Sequence, residues 1–325
     1  MEQVESIGKI NNRLENFPVS FFSSVMGMAG FTIAIEKAES IYNLGGMVSL
    51  ALSGITMLLF LTLLGIYATK MIKHNDAVVK ELHHPIKISF FPTVSISLLL
   101  LSICMLPKNT VFASAFWTLG TVLHLSFTLY VMNAWINHEH FEIHHMNPAW
   151  FIPIVGNILV PIAGVPLGYA DISWFFFSIG LVFWPVLLTI IYYRVIFHPA
   201  LPGKLIPTFF ILIAPPAVGF LSYIRLNGEV DNFAHILYFA ALFFTLLVFT
   251  QFRKFAKLQF FLSWWAYSFP MAAITIATMV MYETTQNFFY SVVGLALLGL
   301  LIFFITMLII KTVKAVVNAQ ICVEE

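Results

Sequence analysis

Long apolar runs separated by short polar stretches occupy almost the whole chain. A helix needs about 20 residues to cross roughly 30 Å of hydrocarbon. Runs of that kind fall near 18–36, 47–69, 88–106, 111–136, 151–169, 173–196, 205–224, 232–252, 262–282 and 288–312. The pattern predicts an all-α membrane protein with ten transmembrane helices.

The ten runs are not equivalent. The first, third, fifth, seventh and ninth each begin with a proline-bearing phrase: Phe17-Pro18-Val19, Phe91-Pro92-Thr93, Ile152-Pro153-Ile154, Ile206-Pro207-Thr208 and Phe269-Pro270-Met271. Among the even runs only the sixth holds an internal proline, Pro185. Proline lacks the backbone donor and clashes with the preceding turn, so in lipid it is tolerated where a neighbouring helix or a wet cavity satisfies the freed carbonyl. The alternation predicts an inner ring of odd helices lining a polar path, kinked at Pro18, Pro92, Pro153, Pro207 and Pro270, and an outer ring of even ones. Pro215-Pro216 in the seventh run reads either as a simple kink or as a source of carbonyls turned to the lumen.

Composition agrees with the pattern: 60% of the residues are hydrophobic, 10% are charged, and mean hydropathy is +0.92. Position matters more than net charge. Lys9, Arg13, Lys70, Lys73, Lys80, Lys87, Arg194, Lys204, Arg253, Lys254, Lys257, Lys311 and Lys314 fall on the side of the termini, against Lys37, Lys108 and Arg225 on the other. This bias places both termini in the cytoplasm of a cell membrane, expected to be a bacterial inner membrane. The expected layout is a cytoplasmic segment 1–16, a channel domain 17–315 and a cytoplasmic tail 316–325. Residues 1–16 show no cleavable signal pattern. Cys104 lies inside the third run and Cys322 in the tail, which argues against a disulfide between them.

The chemistry is narrow. No phosphate-binding glycine loop occurs, so ATP-driven transport within this chain is excluded, and neither a cofactor nor a nucleic-acid partner is expected. Ion-coupled carriers usually keep an ionisable group inside the membrane. Here Glu36, Asp171 and Glu283 fall at predicted helix ends, leaving only His124 and, near a boundary, His235. Lone histidines of this kind read first as hydrogen-bonded packing residues. An apolar, aromatic path offers no ligands to a dehydrated cation, whereas broken helices can turn amides and positive dipole ends inward, which favours anions.

Asn147-Pro148, Val155-Gly156-Asn157, Leu201-Pro202, Ala214-Pro215 and above all Ser263-Trp264-Trp265-Ala266-Tyr267-Ser268-Phe269-Pro270-Met271 resemble the tellurite-resistance/dicarboxylate transporter family. That family includes bacterial TehA proteins, fungal malate transporters and the plant slow-type guard-cell anion channels. The similarity runs in order from about residue 147 to 282, with the Phe17-Pro18 start extending it towards the N-terminus. The resemblance implies a homotrimer with one pore per subunit, built from five helical hairpins with quasi-fivefold symmetry. It also implies a phenylalanine on the ninth helix that plugs the pore. Phe269 is the sole phenylalanine between positions 262 and 287, so that role falls to it.

Other features have simpler readings beside the functional ones. Trp264-Trp265 reads as an interfacial anchor or packing pair, and Gly164 with Gly168 as a small-xxx-small contact. In the segment 138–145, His138, His140, His144 and His145 are candidate metal ligands; the competing reading is a polar cap on the fourth helix. Three functions follow: a passive channel for small monovalent anions such as chloride or nitrate, a secondary transporter of C4-dicarboxylates or oxyanions such as tellurite, and an intramembrane metalloenzyme. The last is weakest, because its histidines share one loop and no nucleophile accompanies them. The expectation is a channel, not an enzyme, whose partners are anions, the lipid bilayer and two further copies of itself.

Overall fold

A computed structural model describes residues 13–137 and 141–323. Among them nine helices are long and apolar enough to cross a membrane: Val19–Tyr42, Met47–Lys73, Lys87–Met105, Thr110–Asn137, Ala170–Phe197, Gly203–Asn227, Asn232–Phe249, Leu262–Thr285 and Phe288–Val317. A shorter apolar helix, Pro148–Gly164, stands fifth in chain order. The segments are numbered first to tenth below with this one included.

Odd and even segments start differently. Every odd segment opens in, or is interrupted by, tight 3-10 turns: Val19–Phe21, Lys87–Phe90, Pro148–Trp150 and Gly156–Leu159, Gly203–Ile213, and Leu262–Tyr267. Each stretch lies beside a proline, where the missing N–H makes the regular α ladder impossible to complete. The even segments are α-helical, and four of the five receive a side-chain cap. Asn109, Asp231 and Asn287 accept bonds from the first-turn amides of the fourth, eighth and tenth, and Glu39 reaches Val48 N and Ser49 N of the second. Such caps satisfy donors that a helix start leaves open.

Burial separates the same two groups. In the first, third, seventh and ninth segments 67–78% of the most apolar window is buried, against 28–39% in the even ones. Each odd segment packs on the even segment that follows it, and the odd segments touch in the cyclic order first, third, fifth, seventh, ninth and back to first. The five therefore close on themselves within one chain. Arg13 Nη2 donates to Val316 O at 3.2 Å, so both described ends meet at one face, called the terminal face below.

Several details differ from the sequence reading. The first helix continues to Tyr42 and stops at Asn43 in left-handed geometry (φ 54°). Glu36 is therefore inside it, where it pairs with Lys108 at 2.5 Å; Lys37 pairs with Glu283 on the same face. The loop after the second segment contains an amphipathic helix, Asn75–His83. Pro215, Pro216 and Pro270 lie in the first turn of α-helices that begin at Ala214 and Ser268. In that position proline's missing donor is one of the helix's open amides anyway, and the irregular backbone lies on the N-terminal side. Of the glycine pair, only Gly164 makes a close approach, to Ser173 and Trp117; Gly168 is a turn residue with φ +90° and an open surrounding. Trp264 and Trp265 are buried packing residues: Lys311 Nζ sits 5.6 Å from the Trp264 ring centroid, and Trp265 Nε1 donates to Thr312 Oγ1 at 3.0 Å.

Candidate functional site

The closed ring of odd segments encloses a cavity of about 540 Å³ that opens at the terminal face. Its mouth carries Glu15, Asn16, Lys80, His84, Lys87 and Lys204. The rest of the lining is mostly aliphatic and aromatic, with Phe90, Phe151, Ile152, Ile211, Phe260 and Phe261, and includes the hydroxyl residues Ser20, Ser23, Thr93 and Ser263. The deepest lining residues in the sequence of each inner segment are Met26, Ile96, Leu159, Val218 and the pair Phe269-Pro270. All five inner segments thus reach the inner end of the cavity.

Phe269 is the part-exposed residue between buried Ser268 and Pro270 on the ninth segment. Its backbone is α-helical, and the backbone irregularity expected at Pro270 falls ahead of it, where 3-10 geometry changes to α at Ser268. Its ring borders Gly30 of the first segment: a Cβ added there would lie 3.2 Å from Phe269 Cδ2 and 2.9 Å from Ala272 Cβ. A glycine thus provides the room in which the ring stands. Of the prolines singled out from sequence, Pro18, Pro215 and Pro270 line the cavity, while Pro92, Pro153, Pro207 and Pro216 sit behind its surface.

Beneath the mouth lies a buried ion pair that sequence reasoning did not find. Lys70 Nζ lies 2.8 Å from Glu81 Oε2, with the side chains 3% and 6% exposed. Glu81 also accepts from Val19 N at 2.7 Å and Tyr67 Oη at 3.1 Å, and Lys70 donates to Phe17 O at 2.8 Å. The pair supplies the donor and acceptor that the Phe17-Pro18-Val19 phrase needs where Pro18 interrupts the backbone. Periodicity places Lys70 at a helix end and Glu81 in a loop; 62 residues separate Glu81 from Val19, so no local pattern signals their meeting.

The last described residues lie at the mouth. Gln320, Ile321, Cys322 and Val323 line the cavity, and Ile321 and Cys322 pack against the cluster of Phe17, Val19 and Val78. Burial pushes the Cys322 thiol above its ordinary pKa. Both cysteines are free.

Of the histidine candidates, His138 and His140 lie outside the described residues. His144 Nδ1 is 3.0 Å from Glu142 Oε2, and His145 Nδ1 accepts from Glu142 N at 3.0 Å within a capping box. Among the described residues no three His, Cys, Asp or Glu side chains come together as a metal-binding group. His235 Nδ1 lies 2.8 Å from Asp231 O, and His124 is fully buried behind the cavity wall.

Comparison with known proteins adds the family context. Residues 16–313 match the family described as SLAC1, voltage-dependent anion channel. An uncharacterized transporter of Methanocaldococcus jannaschii is 28% identical over 332 residues, covering 95% of this chain and 97% of its own. The S-type anion channel SLAH2 of Arabidopsis thaliana is 29% identical over 82% of this chain, which spans 53% of the plant protein. A tellurite resistance protein TehA homolog of Haemophilus influenzae is 28% identical over 82% of this chain and 81% of its own.

Proposed function

The chain belongs to the SLAC1 voltage-dependent anion channel family, and from that membership we propose that it is a channel for small monovalent anions such as chloride and nitrate, with a pore inside each subunit and Phe269 as its gate. The observation that carries the reading is the cavity itself. It leads from a lysine-bearing mouth, through a mostly apolar wall contributed by all five inner segments, to the ring of Phe269. Cations at the mouth raise the local concentration of anions. A hydrophobic constriction then stops them, because an ion crossing it sheds water with nothing to replace it.

In this reading the terminal face is cytoplasmic, in a bacterial inner membrane, with 17–315 as the channel domain between polar ends 1–16 and 316–325. The five hairpins form a quasi-fivefold barrel, the proline phrases hold its inner helices irregular at the cytoplasmic end, and three subunits assemble. Passive flow is favoured over coupled transport of dicarboxylates or tellurite because Glu81, the buried carboxylate beside the cavity, is fully engaged by Lys70, Tyr67 and Val19. A carboxylate whose oxygens are taken up by an ion pair and two further donors reads as a structural group that holds the backbone in place.

The test is electrical. In proteoliposomes the current through the reconstituted protein should reverse near the chloride equilibrium potential and ignore an imposed proton gradient. Proton uptake in fixed ratio to anion flux would establish the transporter instead.

A further inference from the structure

Behind the cavity wall, the fourth segment presents His124 and, one turn on, Thr128 to the two inner segments beside it. Thr128 Oγ1 lies 2.7 Å from Pro153 O and 3.0 Å from Asn157 Nδ2, and Asn157 Nδ2 is 2.7 Å from Ile154 O. These bonds hold the place where the fifth segment breaks, between helix Phe151–Val155 and the 3-10 turn Gly156–Leu159. His124 has no exposed surface, and its Nδ1 is 2.8 Å from Ser95 Oγ of the third segment, which in turn donates to Pro92 O at 2.8 Å. One end of the imidazole is therefore tied to the third segment at its proline.

The other end faces the fifth. A Cβ built on Gly156 would fall 2.7 Å from both Cε1 and Nε2 of His124 and 2.8 Å from Ile96 Cδ1. Gly156 is at the same time a lining residue of the cavity, as is Ile96. At this level Gly156, with Ile96 beside it, stands between the imidazole and the lumen. Nε2 itself is buried without a hydrogen-bond partner among the described residues.

Resting on the channel reading above, we infer that His124 is a positioning residue for the pore: its ring fills the side-chain space of Gly156, sets how far the fifth segment stands back from the lumen, and so fixes the size of anion that passes at that level. The physical reason is a difference in freedom. If a methyl group were added at 156, the tip of Ile96 could rotate away, but the ring could not move without breaking its bond to Ser95. The remaining way to relieve the overlap is for the fifth segment to shift towards the lumen, and a tightly packed wall transmits such a shift. A narrower passage hinders a large anion more than a small one.

The experiment uses the full-length protein with Phe269→Ala as a conducting background, and bi-ionic reversal potentials for chloride against the larger methanesulfonate. Gly156→Ala should lower the methanesulfonate-to-chloride permeability ratio several-fold. His124→Ala combined with Gly156→Ala should restore it, and Ser95→Ala with Gly156→Ala should restore it in part by freeing the ring. A double variant with the ratio of Gly156→Ala alone, or Gly156→Ala with the parent ratio, overturns the inference. Thermal melting in detergent gives a second reading for a variant that folds poorly: Gly156→Ala should melt lower, and adding His124→Ala should recover the loss. No recovery also overturns it. If the Phe269→Ala background passes no anion at all, the channel reading fails, while melting still decides whether His124 and Gly156 compete for one space.

Discussion

Glu81 is the residue on which the entry of the first segment depends. Its carboxylate meets Lys70, Tyr67 and Val19 N in a site that is 6% exposed. Glu81→Gln leaves the Lys70 ammonium buried beside a neutral amide, and breaking such a pair costs about 3–5 kcal/mol. Replacing both members by apolar residues, Lys70→Met with Glu81→Leu, should recover most of that in a thermal melt, with Phe17 O and Val19 N left as the residual loss. A charge exposed to solvent would show no such non-additivity. Asp231 offers a contrasting case outside the membrane segments. The Tyr223 hydroxyl at 2.6 Å, followed by the amide of Ala234 at 2.9 Å, holds its carboxyl below the ordinary value. A depressed carboxyl contributes its stability above the unfolded pKa and loses it only as pH falls through the lower folded value. The protection factors of the first-turn amides of the eighth segment, that is, exchange rates corrected for their intrinsic pH dependence, should therefore be unchanged from neutral pH down to about 5, whereas Asp231→Ala should lower them throughout that range. The asparagine and aspartate caps are visible in sequence as polar residues ahead of apolar runs. The Lys70–Glu81 pair is not, because it depends on tertiary contact alone.

At the scale of elements, the alternation of proline phrases carried much of what the sequence had to say. It distinguishes the segments that are 67–78% buried from those that are 28–39% buried, because a broken backbone needs protein or water around it. It says less about local shape. Prolines 215, 216 and 270 were expected to bend helices, yet each stands in a first α turn with a 3-10 stretch before it. Hydropathy cannot separate these helix types, since both bury the same residues. The segment Asn75–His83 was hidden for a different reason: a nine-residue amphipathic helix has too few apolar positions to stand out beside membrane spans. The ninth segment brings these observations to a test. Phe269 leaves its helix at the inner end of the cavity and its ring rests by Gly30, so truncation removes the side chain from the lumen without unseating the buried residues on either side. Phe269→Ala should raise anion conductance many-fold with the oligomeric state of the parent and its melting temperature nearly unchanged, and Phe269→Leu should fall between. An alanine variant that is stable in the membrane and conducts like the parent would make Phe269 a packing residue.

At the scale of the whole molecule, the cyclic contact of the five inner segments has a consequence for assembly. The inner segments that line the cavity close on one another within the chain, which in the channel reading gives each subunit a lumen of its own. The surface left for lipid and for other subunits belongs to the even segments, where Leu58, Val122, Val182, Phe243 and Phe303 are exposed. A trimer formed through those faces should hold three pores that work separately. Co-expression of parent and Phe269→Ala subunits makes this measurable. With independent pores, single-molecule recordings should show up to three equal conductance steps, and their distribution should follow the mixing ratio of the two subunits. If flow is passive, an imposed proton gradient should alter neither the step size nor the distribution. A single indivisible step, or one parent subunit silencing its neighbours, would mean that the conducting path is shared between chains. Cross-linking that stops at a dimer would remove the trimer while leaving the pore within each chain intact.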